Sequence, residues 1–339
     1  MMLKKAPLAL LLTMASFNSF AVDNTLTAEC GSVTIADMNL GSATLVANID
    51  AFILEHGYAC DVEIVPGNST ITATSMIEKN TPDIAPEFWT NQIRATLAKG
   101  GEEGRIVVAG DLLSDGAVSG FWVPKYMVEK DPSLATLAGI KANAKLFQHP
   151  EDPTRSAFMA CPAGWTCQIS TTNLFNAMDL ADYGFDLVDP GSGAGLAGSM
   201  AKAYENKEAW FGYYWSPTAI MDKYDMVRVD FGTGFDRDEF ENCTIVEDCE
   251  NPKVTDYPAA PVQSIVTTDF SKRAPAVMQY LGKRSFTNDE MNQQLAWIDE
   301  EQADGDYAAE HFLLNNKDKW SQWVPKDVAI KVAAALADL

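Results

Sequence analysis

The sequence predicts an α/β protein built as two similar lobes, each a parallel sheet with helices on both faces. Three observations carry this. Strand-like and helix-like stretches alternate near the amino terminus in the order β-α-β-α-β. The β-α-β order returns in the second half. At 339 residues, the chain is longer than a typical single domain.

The first residues read as a processing segment. Lys4 and Lys5 give a positive start, "APLALLLTMASF" (6–17) is a short apolar stretch, and Ser19-Phe20-Ala21 is a small-x-small cleavage signal. This predicts a secretory signal peptide over 1–21 and export to the periplasm. A membrane anchor is the alternative, but the apolar stretch is shorter than the roughly 20 residues a span needs. No Leu-x-x-Cys lipoprotein site lies at this boundary.

After it, "SVTIADMNL" (32–40) is β-rich. "SATLVANIDAFILEHGY" (42–58) places Leu45, Ile49, Phe52 and Ile53 at helical spacing, with Gly57 as a stop. "DVEIVPG" (61–67) alternates as a strand, "NSTITATSMIEKNTP" (68–82) is a weaker helix ended by Pro82, and "DIAPEFW" (83–89) is a short strand or turn. In the second half, "AKLFQHPED" (144–152) is expected to start with a strand, and "CQISTTNLFNAMDLADYGF" (167–185) to be a helix ending near Gly184. "DLVDPGSGAGLAGSMAKAYENKE" (186–208) reads as a loop and a helix, and "AWFGYYWSPTA" (209–219) as a strand and its end. From Asp269 to Leu339 the pattern is mostly helical.

A formal net charge of −22 repels nucleic acid and anionic membranes, so both are poor partners. The six cysteines, Cys30, Cys60, Cys161, Cys167, Cys243 and Cys249, are even in number in a chain expected to be exported, which predicts disulfides. Sequence alone allows about 15 pairings; proximity favours Cys161–Cys167 and Cys243–Cys249, leaving Cys30–Cys60. A zinc site is the alternative, but the spacings are not C-x₂-C and only three histidines exist.

Little suggests catalysis, a cofactor or a metal. With few histidines and the cysteines paired, no Ser-His-Asp or Cys-His arrangement emerges. "DPGSGAG" (189–195) is neither G-x-G-x-x-G nor a P-loop. It is either a flexible helix entry or a place where backbone N–H groups near Gly193 meet an anionic ligand group. The acidic stretch 236–256 lacks EF-hand spacing. It reads as a solvated loop stapled by Cys243–Cys249, with calcium binding as the alternative.

The aromatics carry the strongest signal. Trp89 ends "EFW", Trp122 sits in "GFWVP", Trp165 lies between Cys161 and Cys167, and Trp215 ends "GYYW". All four fall at element ends or in loops, whereas Trp297, Trp320 and Trp323 lie in the helical tail, where packing is the default. Carboxyl ends of parallel strands are where α/β proteins bind ligands. Tryptophans converging there would box a quaternary ammonium, attracted to the ring faces. The alternative is that some of these rings only pack the hinge between lobes. In a strand, Tyr213 and Trp215 share one face and Tyr214 takes the other.

The chain resembles the periplasmic substrate-binding proteins of ABC transporters for glycine betaine and related quaternary amines. The resemblance spans nearly all of the chain after the signal segment, and rests on "ILEHGYACDVEIV" (53–65), "TPDIAPEFW" (81–89), "FWVPKYM" (121–127), "AGWTCQ" (163–168), "LAGSMAKAYENKEAWFGYYWSPT" (196–218) and "AAEHFLLNNKDKWSQWV" (308–324). It implies a two-lobe type II periplasmic binding fold with ligand in the interlobe cleft, and lobe closure that delivers it to a membrane permease and its ATPase. It implies lobe one over 22–121 and 217–339 and lobe two over 122–216, and a tryptophan box of Trp89, Trp122, Trp165 and Trp215 in a monomer. Where many relatives carry a tryptophan after the first strand, this chain has Asn39 and Leu40, so the box has a different shape. "GWTCQIST" is similar to relatives that bind trimethylamine N-oxide.

A carboxylate facing the ligand's cation would strengthen such a site. Glu151, in "HPEDP", and Glu87, two residues before Trp89, are the candidates, and Glu151 is expected to fill the role; the alternative is that both are solvated surface acids. Two other function classes compete with an importer's binding protein. One is an enzyme acting on methylated amines, which turnover assays would reveal. The other is a sensor partner that presents ligand to a receptor.

Overall fold

The computed structural model describes residues 30–339 except 39, 92 and 164, so the expected signal peptide over 1–21 lies outside the described residues. The described residues form two five-stranded sheets. In the first, β1 (Ser32–Asp37), β2 (Asp61–Pro66) and β3 (Ile84–Trp89) run parallel in the order β2-β1-β3. β4 (Ile106–Asp111) and β10 (Val262–Thr267) complete it, with β10 antiparallel to both β3 and β4. In the second, β6 (Ser156–Met159), β7 (Phe185–Val188) and β8 (Gly212–Ser216) repeat that parallel trio in the order β7-β6-β8. β5 (Val118–Pro124) and β9 (Met226–Arg228) extend it, β5 antiparallel to both β8 and β9. The two lobes are therefore built alike, and β8 holds in lobe two the place that β3 holds in lobe one.

The elements follow from the residues. α1 (Gly41–Phe52) buries Leu45, Val46, Ile49 and Phe52 along one stripe. α2 (Ser69–Lys79) starts where the Asn68 side chain accepts from Ile71 N at 3.0 Å, and ends at Asn80 in the left-handed conformation. Each sheet has its own core. Ile35, Ile49, Phe270, Phe312 and Trp320 fill lobe one, and Phe121, Phe158, Leu196, Phe211 and Tyr214 fill lobe two. Burying each such side chain contributes about 1.5–3 kcal/mol. Of the tryptophans in the helical tail, expected to pack in the core or on the surface, Trp320 and Trp323 are core residues.

The boundaries differ from the expected 122–216. β5 begins at Val118, already paired with Ser216. After Pro217 the chain touches lobe one, where Asn292 accepts from Thr218 N at 2.7 Å and bonds the Ser216 hydroxyl. It then returns to lobe two, where β9 joins the sheet and Val229, Phe231, Phe240 and Tyr257 enter the core. The crossings are at Ala117 and Ala260, which exchange both backbone hydrogen bonds at 2.8 Å. The apparent return at Pro217 is a contact without a crossing. Two local expectations also change. The strand expected to start 144–152 lies at Ser156–Met159, after a 3₁₀ turn. The helix expected over 167–185 spans Thr166–Ala177 and gives way to a 3₁₀ turn and β7.

The structure forms disulfides Cys30–Cys60, Cys161–Cys167 and Cys243–Cys249. Across the lobes, Arg94 at the start of α3 (Arg94–Glu102) pairs with Glu241 at 2.7 Å. Its hydrogen bond, its charge and that of Arg237 hold the Glu241 carboxyl below the ordinary value.

Candidate functional site

The equivalent strands β3 and β8 carry tryptophans at their carboxyl ends. Trp89 is the last residue of β3 and half-buried. Its indole N–H donates to Glu87 Oε1 at 2.9 Å. Glu87, on the same face by the two-residue alternation, is only 2% exposed. Burial raises its pKa, while hydrogen bonds from Trp89 and Ser42 and the charge of Arg284 pull it back. Behind β3 lies a buried polar line. Arg284 pairs with Asp50 at 2.9 Å, Tyr280 donates to Asp50 at 2.5 Å, and Arg284 donates to the Ser264 hydroxyl, which bonds the Pro86 carbonyl at 2.8 Å.

Trp215 sits one residue before the end of β8. Its ring lies 5.6 Å from that of Trp165 in an edge-to-face arrangement and stacks on Tyr214 at 4.7 Å. Tyr214 packs inward, as expected, and so does Tyr213. Burial pushes the Tyr213 hydroxyl up to about 12. Trp165 precedes the helix Thr166–Ala177 inside the Cys161–Cys167 loop and is 43% exposed. Gly193, the first residue of the helix Gly193–Asn206, lies directly against it. A Cβ at Gly193 would stand 2.8 Å from Trp165 Cη2, so no larger residue fits without moving the ring.

The structure thus brings Trp165, Trp215 and Gly193 together on lobe two and puts Trp89 at the matching place on lobe one. It does not bring Trp122 or Glu151 to them. Trp122 is 8% exposed, pairs with Gly212 at the far end of β8, and donates its indole N–H to the Tyr214 carbonyl at 3.0 Å. It is a core residue because β5 runs antiparallel to β8, away from the end that carries Trp215. Glu151 is exposed and precedes β6, at the amino end of the strand whose carboxyl end leads to Trp165. Its backbone N–H donates to His149 at 3.1 Å.

Sequence reasoning missed Ser119. It is the cross-strand partner of Trp215, with its hydroxyl 3.4 Å from that of Tyr213. The strand that carries it was not apparent, since "VSGFWVP" is apolar without alternation. The acidic stretch is largely spent on local bonds. Asp236 caps a turn, Glu239 accepts from Lys253 N, Glu241 pairs with Arg94 and Arg237, and Asp256 with Arg228. Among the described residues no group of three or more His, Cys, Asp or Glu is placed to hold a metal. Cavities of about 550 Å³ (Thr90, Arg94, Leu97, Pro261) and about 470 Å³ (Asp37, Pro66, Asn68) flank the lobe-one strand ends. None of the four tryptophans lines either.

Two like-built lobes joined by adjacent crossings, with aromatic rings at equivalent strand ends, define a two-lobe solute-binding protein. Residues 31–315 match the family described as the substrate binding domain of ABC-type glycine betaine transport systems, and the chain belongs to that family. Solved structures share the fold. The glycine betaine/L-proline-binding protein ProX of Borrelia burgdorferi is 18% identical, with a TM-score of 0.60, over 89% of this chain and 99% of that one. A choline-binding protein in complex with choline is 20% identical, with a TM-score of 0.58, over 91% and 98%. Lactococcal OpuAC in its closed form with glycine betaine is 17% identical, with a TM-score of 0.59, over 87% and 100%. The protein is a substrate-binding protein of an ABC importer and not an enzyme. No helix among the described residues is long and apolar enough to cross a membrane.

Proposed function

We propose that this protein captures a small methylated amine between its lobes, with the cation held by Trp89 from lobe one and by Trp165 and Trp215 from lobe two. The observation that carries this is the placement of tryptophans at the ends of the equivalent strands β3 and β8, with Trp165 5.6 Å from Trp215. Ring faces attract a trimethylammonium group, and each contributes about 0.5–2 kcal/mol. Binding across two lobes couples capture to closure, and the closed form is what a permease would recognise. The cargo class is that of glycine betaine, choline and trimethylamine N-oxide. The protein works as a monomer in the periplasm after loss of residues 1–21, and passes its ligand to an ABC permease and its ATPase subunits.

Calorimetric titration with glycine betaine, choline, trimethylamine N-oxide, carnitine and dimethylsulfoniopropionate tests this, with L-proline as a ring-shaped control that lacks methyl groups on nitrogen. At least one methylated compound should bind one-to-one and outcompete L-proline. Binding of L-proline alone, or of none, would overturn the reading.

A further inference from the structure

The two lobes support their tryptophans differently. Two residues before Trp89 stands the buried carboxylate Glu87; two residues before Trp215 stands the buried phenol Tyr213. Arg284, whose charge lowers the Glu87 pKa, also pairs with Asp50 at 2.9 Å with both side chains fully buried. That charge is shared between two buried carboxyls, and it still draws Glu87 toward its ionised form against the burial that favours the neutral one.

We propose that Glu87 is a positioning residue. Through its hydrogen bond to the Trp89 indole it fixes that ring and places the site's negative charge on lobe one, so that the ligand's cation seats against Trp89. This rests on the tryptophan-cage reading above. A hydrogen bond to an ionised carboxylate is about twice as strong as a neutral one, and burial strengthens it further. Electron density pushed through the indole N–H makes the ring face more negative, which is the property a cation reads. The aromatic support of Trp215, with its Ser119–Tyr213 hydroxyl pair, supplies no such charge. Glu87 thus fills the role the sequence assigned to Glu151, acting through a ring and without touching the ligand.

The test uses tetramethylammonium, a cation with no other recognisable group, with Glu87→Gln and Trp89→Phe alone and combined. Glu87→Gln keeps the shape and a hydrogen-bond acceptor and removes the charge. It should weaken tetramethylammonium binding by roughly three- to tenfold, with an unchanged circular dichroism spectrum. In the Trp89→Phe background the same change should have little further effect, because the charge acts through the indole. An equal loss in both backgrounds would mean that Glu87 acts directly on the ligand, and would overturn the positioning role. A ligand-free readout separates this from the cage reading. The indole N–H resonance of Trp89, assigned from Trp89→Phe in nitrogen-15-labelled protein, should move upfield in Glu87→Gln while the other indole resonances stay. An unmoved resonance overturns the proposal whatever binds. Failure of every variant and the wild type to bind tetramethylammonium overturns the cage and leaves the resonance to decide the positioning.

Discussion

The two lobes share one plan and carry their aromatic rings by different means. On lobe one, Trp89 is half-buried and anchored through its N–H to a carboxylate backed by a buried ion pair. On lobe two, Trp165 is an exposed ring held by a short covalent loop and a glycine that leaves room for it. The plan even places Leu40, 45% exposed, before the helix that follows β1, where lobe two has Trp165 before the helix that follows β6. The difference teaches where each lobe's order comes from. A ring tied into the core is in place before ligand arrives. A ring on a stapled surface loop keeps contact with solvent; under the proposed binding mode lobe two would supply the adjustable wall and lobe one the fixed one.

Disturbing the lobe-two wall should have the largest effect. Gly193→Leu puts a side chain where the Trp165 ring lies, and methylated-amine affinity should fall by about tenfold or more, equivalent to losing one ring's contribution of about 1.4 kcal/mol. Far-UV circular dichroism would confirm that the helix Gly193–Asn206 survives. Wild-type affinity in this variant would detach Trp165 from the site.

A smaller loss is expected from Cys161→Ser with Cys167→Ser. The closed loop is short, so the staple orders Trp165 locally and adds little to global stability. Calorimetry should show weaker binding by a few-fold, with most secondary structure intact. Affinity equal to wild type would show that the loop holds its shape unaided.

The smallest effect is on pH dependence and belongs to lobe one. Burial raises the Glu87 carboxyl above the ordinary 4.5, against the pull of Trp89, Ser42 and Arg284, with Asp50 and Tyr280 behind. Its folded form holds a proton more tightly than its unfolded form. Stability from this group is therefore fully present below 4.5 and lost as pH rises through the folded value. A bound cation favours the ionised form, so choline affinity should move the other way and fall as pH is lowered through that window. Titrations across pH should show this slope in wild type and a flatter one in Glu87→Gln. Parallel profiles would remove Glu87 from the pH response.

Much of this was legible in the sequence, for identifiable reasons. Helical spacing of Leu45, Ile49 and Phe52 and the alternation of "DVEIVPG" report burial directly, so the first β-α-β-α-β run was readable. Trp89, Trp165 and Trp215 stood out because each lies at an element end or in a loop and sits on no periodic helix face. Trp122 shared that local signature, and only the antiparallel direction of β5 sends it to the core. Glu151 looked close to the Trp165 loop in sequence, yet β6 lies between them and puts them at opposite ends of a strand. The boundary near Pro217 was misleading because the chain leans on Asn292 there before turning back. The first and third of these are long-range pairings, which local pattern does not encode, and the second is a strand boundary shifted by several residues.

The central claim is that one cation is held from both lobes. Calorimetric titration of Trp89→Ala, Trp215→Ala and Trp122→Phe with the tightest-binding methylated amine tests it most directly. Trp89→Ala and Trp215→Ala should each weaken binding by about tenfold or more. Trp122→Phe should lower the thermal midpoint while leaving affinity within about twofold. Loss confined to one lobe's tryptophan, or a Trp122→Phe loss as large as either, would contradict it.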